Sequence, residues 1–145
     1  MKRLALGATL LALGVSFALA QQDPIAARKA LMKKNGDEAN IGTQFMKGEA
    51  PFDLAKAKAI FATYQDAASK MPNLFPDNSK TGGDTAALPA IWEKKDDFVA
   101  KFKKLGEDAK DASAKITDEA SFKAAFPNVQ KNCGGCHETY RMKKS

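Results

Sequence analysis

The sequence predicts an all-α protein folded as an antiparallel, up-down-up-down four-helix bundle. Apolar residues recur at steps of three and four positions in four segments of similar length, and no segment shows the alternation of a β-strand. Most connections between these segments are short, so consecutive helices are expected to run antiparallel. A chain of 145 residues needs only one such core, and its composition gives no sign of disorder or of a disulfide-rich scaffold.

The N-terminus has the features of a targeting segment. Lys2 and Arg3 precede an uncharged apolar stretch that ends on small residues at Ala20. This arrangement is typical of a cleaved secretory signal peptide, so we expect residues 1–20 to be removed and residues 21–145 to form the bundle domain. A membrane anchor is the alternative, but the stretch is short for a span. We therefore expect a periplasmic protein without stable membrane insertion after cleavage.

The first helix is predicted to begin at Asp23 and to continue to about Met46. Asp23 is a favourable capping residue, and Pro24 suits the first helical turn because its missing N–H has no partner there. Gly36 and Gly42 lie inside the segment and weaken it, since glycine costs about 1 kcal/mol relative to alanine in a helix interior. The middle of this helix is therefore its weakest part.

The second and third helices are separated by the one long connection. The second helix is capped by Asp53 and keeps one apolar face as far as Met71. Residues 72–89 contain prolines and a Gly-Gly pair that interrupt any periodicity, so they are predicted to form a loop. The third helix is predicted to start near Pro89, and its apolar stripe extends to Ala112.

The fourth helix has the clearest apolar stripe in the chain. It is predicted to begin near Thr117 or Asp118, and Pro127 inside it is expected to kink the helix or to split off its first turns. The residues of the stripe follow one another at steps of four and three: Phe122, Phe126, Val129, Cys133, Cys136, His137 and Tyr140.

Three residues of this stripe carry the chemistry. Cys133, Cys136 and His137 form a Cys-X-X-Cys-His motif. Cysteines three positions apart present two sulfurs to the vinyl groups of c-type haem, and the following histidine ligates the iron. Cys133 and His137 are four positions apart, so both side chains leave one helical face. The sequence therefore predicts one covalently attached haem c per chain, with thioethers at both cysteines and His137 as the proximal axial ligand.

Other interpretations of the two cysteines are weaker. A thiol-disulfide oxidoreductase places its Cys-X-X-Cys motif at the start of a helix, where the helix dipole lowers the thiol pKa, but this motif lies near a helix C-terminus. A structural zinc site requires a fourth strong ligand, and Cys133, Cys136 and His137 are the only cysteine and histidine residues in the chain. A structural disulfide is the remaining alternative.

The sixth iron position is left to methionine, lysine, water or no ligand, because His137 is the single histidine. In an antiparallel bundle the start of the first helix lies beside the end of the fourth. Met32 is about eight residues into the first helix, roughly 12 Å, and His137 is about 8 Å from the end of the fourth. Met32 is therefore the predicted distal axial ligand. Met71 remains an alternative, whereas Met46 lies at the opposite end and Met142 on the proximal side.

Charges of both signs are mixed along every predicted helix. Of the 23 basic residues, two lie in the segment expected to be cleaved, which leaves 21 against 17 acidic residues and a net charge of +4. Such mixing is typical of a solvated face, so no nucleic-acid partner is expected. Lys103, Lys104 and the basic residues of the tail, Arg141, Lys143 and Lys144, serve either solubility and helix C-termini or steering towards an acidic redox partner.

Several segments resemble one known family. Residues 133–141, with an arginine early in the first helix, resemble the cytochrome c′ family of four-helix-bundle haem proteins. Residues 47–53 and the Ile91-Trp92 pair resemble the family's helix-connecting loop and the entry to its third helix. The resemblance extends over the mature chain.

The resemblance implies a function. In five-coordinate members of the family, the position four residues after the early arginine holds a bulky apolar residue that blocks the distal iron face. Counted from Arg28, that position holds Met32, as in the low-spin cytochrome c-556-type branch. The implied function is single-electron transfer between periplasmic redox proteins through a six-coordinate His/Met haem. The alternative is a cytochrome c′ that is five-coordinate or has a displaceable ligand and binds nitric oxide or carbon monoxide. In neither case is the protein expected to be an enzyme.

The resemblance also implies roles for two arginines. Arg28 lies one turn before Met32, where its guanidinium could contact a haem propionate as its family counterpart does, and a surface arginine is the alternative. Arg141 lies one turn after His137, and the family places an arginine there beside the proximal imidazole. An antiparallel homodimer through the first two helices is implied as well, although the charged residues of the first helix could equally form a solvated face.

Overall fold

The computed structural model describes residues 23–143 and confirms an all-α four-helix bundle. The expected signal peptide, residues 1–20, lies outside the described residues. Within them no strand occurs, and Ala87 and Arg141 form only an isolated antiparallel bridge. The five α-helices are α1 (Pro24–Lys47), α2 (Leu54–Lys70), α3 (Ala90–Glu93), α4 (Lys95–Lys115) and α5 (Glu119–Tyr140).

The four long helices form a closed ring of neighbours. Helix α1 packs on α2, α2 packs on α4, α4 packs on α5, and α5 returns to α1. This order is that of an up-down-up-down bundle, in which helices that follow one another in sequence are adjacent. No helix between residues 23 and 143 is long and apolar enough to cross a membrane.

Local capping explains where these helices begin. The side chains of Asp23, Asp53 and Asp118 each accept a hydrogen bond from a backbone N–H of the first turn of α1, α2 and α5. At α5, Ser121 completes a reciprocal capping box with Asp118. Each such cap contributes about 1 kcal/mol. Helix α1 ends at Gly48, whose φ of 70° is the left-handed conformation that glycine adopts without strain.

The structure differs from the sequence prediction in two places. The predicted third helix is divided, because Lys94 has φ of −123° and ψ of 47° and separates the short α3 from α4. Helix α3 is held instead by the preceding loop, since the indole of Trp92 donates to the carbonyl oxygens of Phe75 and Pro76. Helix α5 is not split at Pro127 but continues from Glu119 to Tyr140.

Two aromatic clusters fill the two ends of the bundle. One lies where α1 ends and α2 and α5 begin, and its rings are in contact at centroid distances of 5.0 to 6.5 Å: Phe45, Phe52, Phe61, Phe122 and Phe126. The other is centred on Phe98, which has edge contacts with Phe75, Phe102 and Tyr140. The second cluster lies at the end that carries the Cys-X-X-Cys-His motif.

Gly42 allows α1 to approach α5 closely in the first cluster. A Cβ atom at this position would lie 2.3 Å from Cζ of Phe126, which is less than any normal contact. The helix runs unbroken through Gly42 and Gly36. At position 42 the cost of glycine in a helix is therefore offset by a helix contact that a larger residue would prevent.

We expect Gly42→Ala to destabilise the protein by about 1 to 3 kcal/mol, because the added methyl group overpacks the contact with Phe126. Without that contact, alanine would stabilise the helix by about 1 kcal/mol. The sign of the change in unfolding free energy therefore shows whether position 42 is in close contact with Phe126. Urea unfolding followed by circular dichroism measures it. The exposed neighbour Thr43, changed to alanine, is the control and should alter stability by less than about 0.5 kcal/mol. A stabilised Gly42→Ala variant would contradict the close packing of α1 against Phe126.

Candidate functional site

A cavity of about 480 Å³ lies between the bundle helices at the end of α5. The last turns of α5 place Cys133, Cys136 and His137 along one of its walls, and all three side chains are partly buried. The structure thus brings the three residues of the motif to one enclosed space, as the stripe in the sequence predicts.

Helix α1 supplies the wall that carries the predicted distal ligand. Arg28, Met32, Asn35 and Ala39 line the cavity at helical spacing, and Gly36 lies between them. Gly36 is exposed, and a Cβ atom there would meet no atom within 4 Å, so this residue places no side chain on the wall. A flat group could lie against α1 here without contact with a side chain at position 36.

The methionines differ in whether they line the cavity. Met32 and Met71 both line the cavity. Met46 does not, and Met142 is 49% exposed beyond the end of α5. Met71 is fully buried at the end of α2, whereas Met32 is only partly buried. Of the methionines in the described chain, two therefore remain as candidates for the sixth position.

The remaining walls are largely apolar, and the charged side chains of the lining are positive. Helix α4 and its surroundings contribute mainly Phe75, Ile91, Phe98, Phe102 and Leu105. The lining also includes four permanently or normally cationic side chains, and within residues 23–143 no aspartate or glutamate joins them: Arg28, Lys29, Lys101 and Arg141. The cavity therefore suits a flat apolar group that bears carboxylates.

The ionisation of the motif argues against thiol chemistry. Cys133 and Cys136 are not joined by a disulfide, and burial raises the pKa of both thiols, that of Cys136 to about 11. A dithiol oxidoreductase needs a lowered thiol pKa instead. Burial and the charge of Arg141 lower the pKa of His137, so its imidazole is neutral at pH 7 and can ligate a metal. Among the described residues, no cluster of three or more His, Cys, Asp or Glu side chains could hold a metal ion without a further ligand.

Arg28 holds the long loop in a way that the sequence did not indicate. Its side chain is only 5% exposed. Nη1 donates to the carbonyl oxygen of Leu74 and to Oγ of Ser79, at 3.2 and 3.0 Å. Nη2 donates to the carbonyl oxygen of Ser79 and to Oγ1 of Thr85, at 2.8 and 2.6 Å. The guanidinium also lies 4.7 Å from the ring centroid of Phe75. The propionate contact stays a prediction and would have to share Arg28 with these bonds.

The end of α5 is tied to the same loop. Leu88 N–H donates to the carbonyl oxygen of Tyr140, and Met142 N–H donates to that of Ala86. The phenol of Tyr140 donates to Asp97 at 2.5 Å. Burial, followed by this hydrogen bond, raises the pKa of Tyr140 to about 12. The loop, α1, α4 and α5 are thus joined at the mouth of the cavity, where Arg141 lies beside His137.

The model of the family described as Cytochrome C′ matches residues 23–141. The chain belongs to the cytochrome c′ family. It is 48% identical to a cytochrome c′ from Rhodopseudomonas palustris over 143 residues, 99% of this chain and 98% of that protein. It is 43% identical to a cytochrome c-556 from Agrobacterium fabrum over 121 residues, 83% of this chain and 82% of that protein.

A solved structure agrees with this assignment. The cytochrome c′ from Rhodopseudomonas palustris superposes with a TM-score of 0.83 at 48% identity, covering 86% of this chain and all of that one. Members of this family carry one covalently attached haem c, and this chain is a monohaem c-type cytochrome. Its relatives include both cytochromes c′ and cytochromes c-556, so their names do not decide the iron coordination.

The residues of the cavity fit haem c on the observed structure. Two thiols and a neutral imidazole lie on one wall, Gly36 places no side chain on the α1 wall, and the other walls are largely apolar. The cationic lining complements the two propionates. Sequence reasoning did not find Lys29, Lys101 or Asn35 as lining residues. Asn35 could have been noticed, because it lies three positions after Met32 on the same helical face.

We expect Arg28→Lys in this cytochrome to lower the free energy of unfolding by about 2 kcal/mol, because one ammonium cannot replace four hydrogen bonds and buried acceptors lose their donors. Hydrogen exchange should quicken in residues 74–88 more than in the core of α4. The control is Lys29→Ala, which removes only an exposed bond to the carbonyl oxygen of Gly83. Equal losses in both variants would show that Arg28 does not anchor the loop.

The pKa of Tyr140 predicts a pH dependence. An ordinary tyrosine titrates near pH 10, whereas the pKa of Tyr140 is raised to about 12. The folded state holds this proton more tightly, so its stabilisation is complete below about pH 10 and is lost as the pH rises through about 12. We expect thermal unfolding midpoints to fall more steeply with pH in wild type than in Tyr140→Phe over this interval. Parallel pH profiles would contradict the assignment.

Proposed function

We propose that this cytochrome is a periplasmic electron carrier with a six-coordinate, low-spin His/Met haem. In this proposal Cys133 and Cys136 form the thioethers, His137 is the proximal axial ligand and Met32 is the distal one. The observation that carries the proposal is that Met32 and His137 line one cavity from the two adjacent helices α1 and α5.

Burial and surroundings favour Met32 over Met71. Met71 is 1% exposed and belongs to the hydrophobic core, so a side chain there is already in full contact with protein. Met32 is partly buried and lies one turn before Gly36, which places no side chain on the cavity wall. A ligand must be able to turn towards the iron, and Met32 has more freedom to do so.

The chain's own residues keep this site suited to electron exchange. The haem supplies a one-electron change between ferrous and ferric iron. His/Met ligation raises the reduction potential and leaves no position open to a substrate. The apolar walls keep water away from the centre. The distal side has no histidine, since His137 is the single one, and a catalytic haem site would require such an acid-base group. We therefore propose that the protein is not an enzyme.

The charge at the mouth of the cavity supports a protein partner. Lys29, Lys101 and Arg141 lie in the cavity lining, and Lys29 and Arg141 are exposed. A positive rim attracts acidic surfaces and increases the rate of encounter. We propose acidic redox proteins of the periplasm as donor and acceptor, without nucleic acid and without stable membrane insertion. The periplasmic location depends on the features of residues 1–20. A homodimer through α1 and α2 stays a prediction.

The second candidate function is the binding of nitric oxide or carbon monoxide. A relative with 48% identity is named cytochrome c′, and the partial burial of Met32 is compatible with a residue that can be displaced. In that case Met32 would pack against the haem without ligating it, or would leave when the gas binds.

Absorption spectra of the haem-loaded protein in both oxidation states, with carbon monoxide added to the ferrous form, test the proposal. We expect sharp low-spin ferrous bands and a methionine-to-iron charge-transfer band in wild type, with little carbon monoxide binding. Met32→Ala should lose both spectral features and bind carbon monoxide at least tenfold more tightly, because its sixth position is open.

Met71→Leu is the matched control, since it removes the other cavity methionine with little change of volume. It should keep the wild-type spectrum. If Met71→Leu loses the charge-transfer band while Met32→Ala keeps it, Met71 is the ligand. A high-spin wild-type spectrum that changes readily with carbon monoxide would favour the gas-binding function instead.

A further inference from the structure

Asn35 differs from the other amide and hydroxyl side chains of the cavity lining. Its Oδ1 atom is buried and has no hydrogen-bond partner, and within residues 23–143 no other buried side-chain nitrogen or oxygen of a residue that is not exposed lacks one. The other amide and hydroxyl side chains of the lining each bond to a protein group: Thr85, Gln130, Asn132 and Tyr140. The protein itself does not satisfy Asn35.

Its place in α1 gives no structural reason for an asparagine. Asparagine is a poor former of helix interiors because its amide competes for backbone groups, and it is usually retained where it caps or back-bonds. Asn35 does neither, although Thr43 on the same helix bonds back to Ala39. The amide nitrogen Nδ2 also makes no hydrogen bond to a described residue, and unlike Oδ1 it is not a buried atom, so it remains available to a group in the cavity that Asn35 lines.

The neighbours of Asn35 indicate where that partner would be. Asn35 follows Met32 by three positions and precedes Gly36, so all three lie on the cavity wall of α1. Position 36 places no side chain on this wall. A small ligand that replaced the side chain of Met32 would therefore lie beside an amide with unused hydrogen-bonding capacity.

We propose that Asn35 is the hydrogen-bond donor of the distal cavity and stabilises small ligands whose free end accepts a hydrogen bond when Met32 is absent or displaced. With Oδ1 held in the buried position, Nδ2 is the atom of the amide left to face a ligand, and it provides two donors. The ligand class is diatomic molecules and small anions. The inference rests on the proposed function, since it takes α1 as the distal wall.

The test compares Met32→Ala with Met32→Ala/Asn35→Leu in the haem-loaded protein. Leucine keeps the branched shape of the asparagine side chain, with larger terminal groups, and removes its hydrogen bonds. Azide titration of the ferric form should show about tenfold weaker binding in the double variant, because a hydrogen bond to a charged acceptor is lost. In the ferrous form the stretching frequency of bound carbon monoxide should rise, since a donor near its oxygen lowers it.

Met32→Ala/Asn40→Leu is the matched control, because Asn40 is an exposed asparagine of the same helix. It should change neither quantity. Met32→Ala/Asn35→Ala provides a second variant if leucine reduces haem content, and it should also weaken azide binding. Equal azide affinities and equal carbon monoxide frequencies with and without Asn35 would overturn the proposal.

The outcomes separate this inference from the proposed function. If wild type is already high-spin and binds azide, Met32 is not the ligand, and the same comparison is made between wild type and Asn35→Leu. The loss of azide affinity in Asn35→Leu would then support the role of Asn35 although the proposed coordination had failed. If wild type is low-spin and the Asn35→Leu change has no effect in Met32→Ala, the proposed coordination stands and the role of Asn35 is overturned.

Discussion

The packing of α1 against α5 is the constraint on which the rest of this structure depends. At one end the two helices touch, because Gly42 leaves room for the ring of Phe126. At the other end Met32 and His137 line a cavity. The two helices are thus in contact at one end, and at the other end they supply two of the walls of a cavity. Gly42 provides the close contact, and Gly36, which is exposed, places no side chain on the cavity wall.

The long loop closes this cavity through polar contacts. Arg28 bonds it to α1, and the backbone of Leu88 and Met142 pairs it with the end of α5. A guanidinium can be buried in this apolar end because both terminal nitrogens have partners. Arg28 lies one turn before Met32, so the residue that fixes the loop and the proposed ligand belong to one rigid helical segment. The position of the loop and the geometry of the distal wall are therefore linked.

Local patterns determine most of what the sequence predicts correctly. The caps at Asp23, Asp53 and Asp118 and the three-four periodicity act within a few residues, so the helices could be placed from sequence alone. The meeting of α1 with the end of α5 follows from the order of an antiparallel bundle.

The features that were missed depend on partners distant in sequence. Trp92 bonds to the loop around Phe75, which accompanies the separation of α3 from α4. The partners of Arg28 lie 46 to 57 positions away. The unpartnered state of Asn35 is a property of the whole cavity.

The proximal side of the cavity was predictable from the sequence, because the Cys-X-X-Cys-His motif and the order of helices in the bundle specify it. Because α4 lines the cavity mainly with apolar side chains and α5 carries the attachment motif, the distal chemistry on the proposed coordination is left to the few side chains of α1. On the proposed coordination, a change at Met32 would separate electron transfer from gas binding within one fold, while Asn35 would set which ligands the opened site retains.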